Sequence, residues 1–151
     1  MKDKIIEQLK QIEREHGVKI IFAIESGSRA WGWESKDSDY DIRGVFVQPL
    51  NLFNNKDQIN TKYKDLDIEL WSIEKFLKLF IKSNPSCWEW LSSDIVYIEN
   101  PLRTKLKKMF MMEFNPCSLK KHYVSMARQN FEKYINGIGE TANLKKYIYV
   151  L

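Results

Sequence analysis

The run Glu25-Ser26-Gly27-Ser28-Arg29-Ala30-Trp31-Gly32 is followed, after a short gap, by Ser38-Asp39-Tyr40-Asp41. A glycine-serine turn able to hold phosphate thus precedes two aspartates in alternate positions of an expected strand. Side chains at i and i+2 of a strand point the same way, with Cα atoms about 6.5–7 Å apart. Asp39 and Asp41 could therefore converge on hard cations, Mg²⁺ or Mn²⁺, which prefer oxygen ligands and keep substrate phosphates as partners. Two such ions, about 4 Å apart, can activate an attacking hydroxyl and stabilise a leaving pyrophosphate. Gly27 would let the backbone approach an anion closely, and Ser28 would add a hydroxyl donor. Arg29 could pair with a phosphate or with Glu25. Each feature also has a plainer reading, as an acidic turn before a strand and a serine-capped turn before a helix. The P-loop ending Lys-Ser/Thr and the G-x-G-x-x-G fingerprint are both missing.

A third carboxylate could complete such a site and act as general base toward an acceptor hydroxyl. Asp65, Asp67 and Glu69 alternate with Leu66, Ile68 and Leu70, so the acids share one face of an expected strand. Periodicity does not choose among the three. A half-exposed strand with a polar outer face would look the same.

The positioning elements are legible in outline. Ile5, Ile6, Leu9 and Ile12 lie on one helical face, with Gly17 as the stop. Val18 to Ile24 predicts a buried strand, and Arg29 to Asp37 a short, ragged helix. Asp39 to Val47 predicts a second strand with Tyr40, Ile42 and Phe46 turned to the core. Residues 48–64 read as a loop and residues 65–71 as a third strand. Ile73, Phe76, Leu77, Phe80 and Ile81 make a helical stripe. Asn84-Pro85 starts another helix, burying Trp88 and Leu91. Trp88 and Trp90 are two apart, so one faces the core squarely and the other is a candidate interface or base-stacking surface, with core packing the default. Residues 94–98 predict a fourth strand. Asn100-Pro101 and Asn115-Pro116 start further helices. Gly137 and Gly139 predict a break before a last helix over 141–151. The order implies an α/β (α+β) fold: a mixed sheet of three to five strands flanked by helices, with a core over 1–99 and a helical part over 100–151.

The net charge of +4 hides an asymmetry. Residues 1–100 carry 14 Lys/Arg against 17 Asp/Glu, whereas residues 101–151 carry 10 against 3. An acidic metal site facing a basic, polyanion-binding part fits that split, as do helices with solvated basic faces. Cys87 and Cys117 stand apart, without ligand spacing, and read as free thiols of a cytoplasmic protein. No segment has the length of a membrane span. His122, beside Tyr123, reads as a surface residue before it reads as a base contact.

Gly27-Ser28, ten residues and then Asp39-x-Asp41, with a later strand acid, resembles the DNA polymerase beta nucleotidyltransferase superfamily. The longer runs 26–32 and 37–44 resemble its branch associated with RNA repair. So do Trp71 with Lys75-Phe76-Leu77, Ser83-Asn84-Pro85 with Glu89-Trp90-Leu91, and Lys145-Lys146-Tyr147. The resemblance implies a minimal nucleotidyltransferase fold, with Gly27 and Ser28 at a nucleoside triphosphate and Asp39 and Asp41 on two divalent ions. It favours Asp67 as third carboxylate, with Glu69 in reserve. Lys145 and Lys146, like Arg29, would reach triphosphate oxygens. The expected reaction is transfer of a nucleotidyl group to a hydroxyl, with an RNA end as acceptor. Modification of a protein with AMP, or metal-independent binding of nucleotide or RNA without turnover, are the competing expectations. Members of this branch continue into more helices past Lys-Lys-Tyr. The resemblance therefore implies a helical part over 100–151 that is shortened relative to the family, and a nucleobase or acceptor site that is incomplete, borrowed from a partner chain or that of a shortened protein.

Overall fold

The computed structural model describes residues 1–49 and 56–134. It divides into two compact units, Met1–Phe114 and Asn115–Leu151. The first unit opens with helix α1 (Lys2–His16), whose buried residues are Ile5, Leu9 and Ile12. Gly17 ends it in the left-handed conformation at φ 63°, a backbone state glycine adopts without steric cost. Strand β1 (Lys19–Glu25), the one-turn helix α2 (Gly27–Ala30), β2 (Tyr40–Val47), β3 (Gln58–Tyr63) and β4 (Leu66–Ser72) follow. Then come α3 (Ile73–Ile81), α4 (Pro85–Ser92), β5 (Val96–Ile98) and α5 (Pro101–Glu113).

The five strands form one mixed sheet in the order β3-β4-β2-β1-β5. Strand β2 pairs parallel with β4 and antiparallel with β1; β3 and β5 are the antiparallel edges. Both faces of the sheet are covered. On one, Ile5, Leu9 and Ile12 of α1 pack on Ile20, Ala23, Ile42, Phe46, Ile68 and Leu70. On the other, Phe76, Trp90, Leu91 and Phe110 from α3, α4 and α5 pack on Phe22, Ile24, Val45 and Trp71. Ile20 and Phe22 stand two apart on β1 and would share a face in a regular strand; the irregularity between them lets them serve opposite faces.

Four details depart from the sequence reading. The loop expected over 48–64 contains β3, whose only buried side chain is Ile59. The helix expected over 29–37 is instead the single turn Gly27–Ala30, and the chain from Trp31 to Asp39 is irregular. On α3, Leu77 and Ile81 of the predicted stripe are exposed, while Leu79 packs with Phe80 against the core. On α4, Trp90 is the buried tryptophan and Trp88 is half-buried, because Trp90 meets both Trp71 and Phe76.

Asparagine caps behave as their sequence context requires. Asn84 accepts from Ser86 N–H at 2.9 Å, and Asn100 accepts from Leu102 N–H at 2.9 Å, each with proline as the first helical residue. Asn84→Ala should cost about 1 kcal/mol, read as a lower urea midpoint at unchanged slope.

The second unit, described up to Tyr134, contains helix α6 (Pro116–Tyr134). The glycine break and the last predicted helix, with Lys145 and Lys146, lie outside the described residues. Among the described residues no helix is long and apolar enough to cross a membrane. Both cysteines are free; burial pushes the Cys87 thiol up to about 12.

Candidate active site

Alternation along β2 places Ile42 and Phe46 under α1 and Val45 in the opposite core. Asp41 and Arg43 share the face of Val45. Along β4, Asp67 and Glu69 likewise share the face of Trp71. In the parallel ladder Asp41 is the direct partner of Asp67, and Arg43 that of Glu69. One sheet face thus runs from apolar core at Val45 and Trp71 into a charged cluster. Trp71 marks the border: its indole N–H donates to Glu69 at 2.7 Å, and its ring lies 4.0 Å from that of Trp90.

Arg43 sits inside this cluster. Its Nη2 donates to Asp41 at 3.2 Å and to Asp67 at 3.0 Å, and its Nε lies 3.7 Å from Glu69. Asp67, and not Asp65, is therefore the β4 acid beside Asp41. Asp65 is exposed in the β3–β4 turn, and its carbonyl accepts from Tyr40 N–H at 2.7 Å.

The glycine-serine turn faces the same cluster. Gly27 has φ 60°, and a Cβ built on it would fall 2.0 Å from Asp41 Oδ2. Only a residue without a side chain lets the Asp41 carboxylate lie there. Ser26 N–H donates to the Asp41 carbonyl at 2.7 Å, fixing turn and strand together. Ser28 is buried, and its carbonyl accepts from Trp33 N–H at 2.8 Å.

Arg29 holds the loop that leads to the aspartates. It donates to the carbonyls of Ser38 at 2.6 Å and Asp39 at 3.2 Å, and its guanidinium stacks 3.9 Å from the Tyr40 ring centroid. Asp39 lies one residue before β2, and it is exposed. Among the described residues no group of three or more His, Cys, Asp or Glu side chains is arranged to hold a metal ion. The donor set nevertheless suits a hard divalent ion: carboxylates on Asp41 and its neighbour Asp39, beside a backbone turn cleared by Gly27.

Glu25, the last residue of β1, supports this turn from beneath. It is 1% exposed, accepts from Asp41 N–H at 3.0 Å and receives the Tyr97 hydroxyl. Burial raises its pKa above the ordinary 4.5; the two hydrogen bonds pull it back, the Asp41 charge raises it and Arg29 lowers it. Burial and the bond to Glu25 raise the Tyr97 pKa as well. A raised folded-state pKa means that the native protein binds the proton more tightly than the unfolded chain. The stabilisation from Glu25 is complete below about pH 4.5 and is lost as pH rises through the folded value. Glu25→Gln keeps an acceptor for Asp41 N–H without the charge. Melting temperatures from pH 4 to pH 8 should show wild type losing ground steadily to this variant; an offset independent of pH would contradict the assignment.

The glycine-serine turn is thus set against carboxylates on paired parallel strands. The model of the RNA repair pathway DNA polymerase beta family matches residues 1–151, and the chain belongs to that family. It is 46% identical to the uncharacterized protein YcgL of Bacillus subtilis (strain 168) over the whole of this chain. The chain spans 60% of the length of that relative. A nucleotidyltransferase-like protein from Exiguobacterium sibiricum 255-15 is similar at 14% identity with a TM-score of 0.43, over 96% of this chain and 52% of the other.

Proposed function

We propose that the protein is a nucleotidyltransferase that moves a nucleoside monophosphate from a triphosphate to a hydroxyl and releases pyrophosphate. The observation that carries this reading is the Asp41 carboxylate, set against the Cα of Gly27 and beside its ladder partner Asp67. The triphosphate lies along the Gly27-Ser28 turn, beside the Asp41 carboxylate. Arg29 keeps Asp39 in place through the Asp39 carbonyl. Asp39 and Asp41 hold Mg²⁺ or Mn²⁺, which when bound screens the phosphates and stabilises charge on the leaving pyrophosphate. The acceptor oxygen attacks the α-phosphorus, the bond to the bridging oxygen breaks, and Asp67 accepts the hydroxyl proton.

The acceptor we assign is a hydroxyl at an RNA end. The family description and the surplus of Lys/Arg over residues 101–151 support it. Each α-labelled ribonucleoside triphosphate, offered with Mg²⁺ alongside total RNA and total protein, provides the test. Label in RNA that vanishes on chelation supports the whole reading. Label in protein keeps the transferase and overturns the acceptor. No transfer, with RNA binding indifferent to metal, overturns both in favour of a binding module.

A further inference from the structure

Arg43 uses every nitrogen of its guanidinium within the site. Nη2 bridges Asp41 Oδ1 at 3.2 Å and Asp67 Oδ2 at 3.0 Å. Nη1 donates to the carbonyls of Asp67 at 2.8 Å and Ile42 at 3.1 Å. Nε faces Glu69 Oε2 at 3.7 Å, and the side chain is only 16% exposed. A guanidinium cannot be deprotonated in a protein, and its planar fork fits such a set of acceptors where an ammonium does not. This is a cation built into the carboxylate cluster.

Its position bears on how many metal ions the site admits. An ion shared by Asp41 and Asp67 must approach an oxygen of each to about 2.1 Å. Nη2 already occupies the wedge between them, on Asp41 Oδ1 and Asp67 Oδ2. A dication there would meet a fixed positive charge at close range. Asp41 Oδ2 points away from that wedge, toward Gly27, the turn to which the proposed function assigns the triphosphate.

Building on the nucleotidyltransferase reading, we propose that Arg43 takes the place of a second divalent ion. The site then takes one ion, delivered with the triphosphate on the Gly27 side of Asp41. Arg43 is a positioning residue for Asp41 and Asp67 and supplies their fixed countercharge. The reaction would run on a single ion, with proton removal left to Asp67.

Mn²⁺ titration followed by electron paramagnetic resonance, with a non-hydrolysable triphosphate analogue, counts the ions without requiring turnover. Wild type should bind about one Mn²⁺ per bound nucleotide, and Arg43→Gln about two. Two ions in wild type, or one in both proteins, overturns the proposal and leaves the transferase reading standing. Absence of any metal-dependent nucleotide binding in wild type overturns the reading and the proposal together. Arg43→Lys, which keeps the charge, should stay at one ion; a second ion there overturns the proposal. Should Arg43→Gln be destabilised, Mn²⁺ alone should restore at least half of the lost melting temperature. A loss that Mn²⁺ does not recover makes Arg43 a structural residue and also overturns it.

Discussion

Asp41→Asn should lower nucleotidyl transfer by about 10³-fold or more, equivalent to ~4 kcal/mol of transition-state stabilisation, while the protein stays folded. The side chain keeps its shape, and the backbone bonds that fix it do not involve the carboxylate. Asp41 N–H still donates to Glu25, and the Asp41 carbonyl still accepts from Ser26. Arg43 retains Asp67 and Glu69 as partners. The ion pair that is lost joins side chains 16% and 29% exposed, and Arg43 keeps two other carboxylates, so its stability cost should stay within about 1–2 kcal/mol. What disappears is the negative charge beside Gly27 that holds a metal-bound triphosphate. Thermal shift by triphosphate with Mg²⁺ should be lost along with transfer. Asp65→Asn is the matched control: its side chain lies in the β3–β4 turn, and only its carbonyl is used, by Tyr40. Transfer by Asp41→Asn at the wild-type rate would remove the aspartate from the chemistry.

Elements bounded by local chemistry were legible in the sequence. Gly17 ends α1, and Asn84-Pro85 and Asn100-Pro101 start α4 and α5, because each boundary depends on one or two neighbouring residues. Strand β3 was not legible, for a physical reason. Gln58, Asn60 and Lys62 alternate with Ile59, Thr61 and Tyr63, and only Ile59 is buried, so an edge strand made by pairing with β4 reads as a polar loop. The stripe of α3 was displaced because neighbouring apolar residues outnumber the positions the core can cover. Leu77 and Ile81 complete a helical period but are exposed.

The site divides along the same line. Alternation named Asp41 and the acid face of β4, but parallel register is a tertiary fact. It alone sets Asp67 opposite Asp41 and Glu69 opposite Arg43. Arg43 lies in the run 37–44 that carries the resemblance, but the resemblance gives it no role although its spacing does. It stands two residues beyond Asp41, and the spacing that paired Asp39 with Asp41 places Arg43 on the same face. Glu25 offered no comparable signal. Its importance comes from burial under Tyr97 of β5, 72 residues away in the chain, and from the Asp41 amide.

Gly27→Ala should abolish metal-dependent triphosphate binding and reduce transfer by about 10²-fold or more, because two penalties fall on one methyl group. The first is conformational: φ 60° costs a residue with a Cβ about 1–2 kcal/mol. The second is a collision, since the new carbon would lie 2.0 Å from Asp41 Oδ2 and 2.8 Å from its Cγ. That carboxylate cannot retreat cheaply, being tied to Arg43 on its other oxygen and fixed at its amide by the buried Glu25. Gly32→Ala separates the two effects. Gly32 has nearly the same backbone angle, φ 70°, and an added Cβ there meets nothing within 4 Å. It should lose about 1–2 kcal/mol of stability and little activity. If both alanines impaired transfer equally, backbone strain in the loop would account for the loss. If only Gly27→Ala does so, the close approach of Asp41 to the turn is the feature on which the site depends.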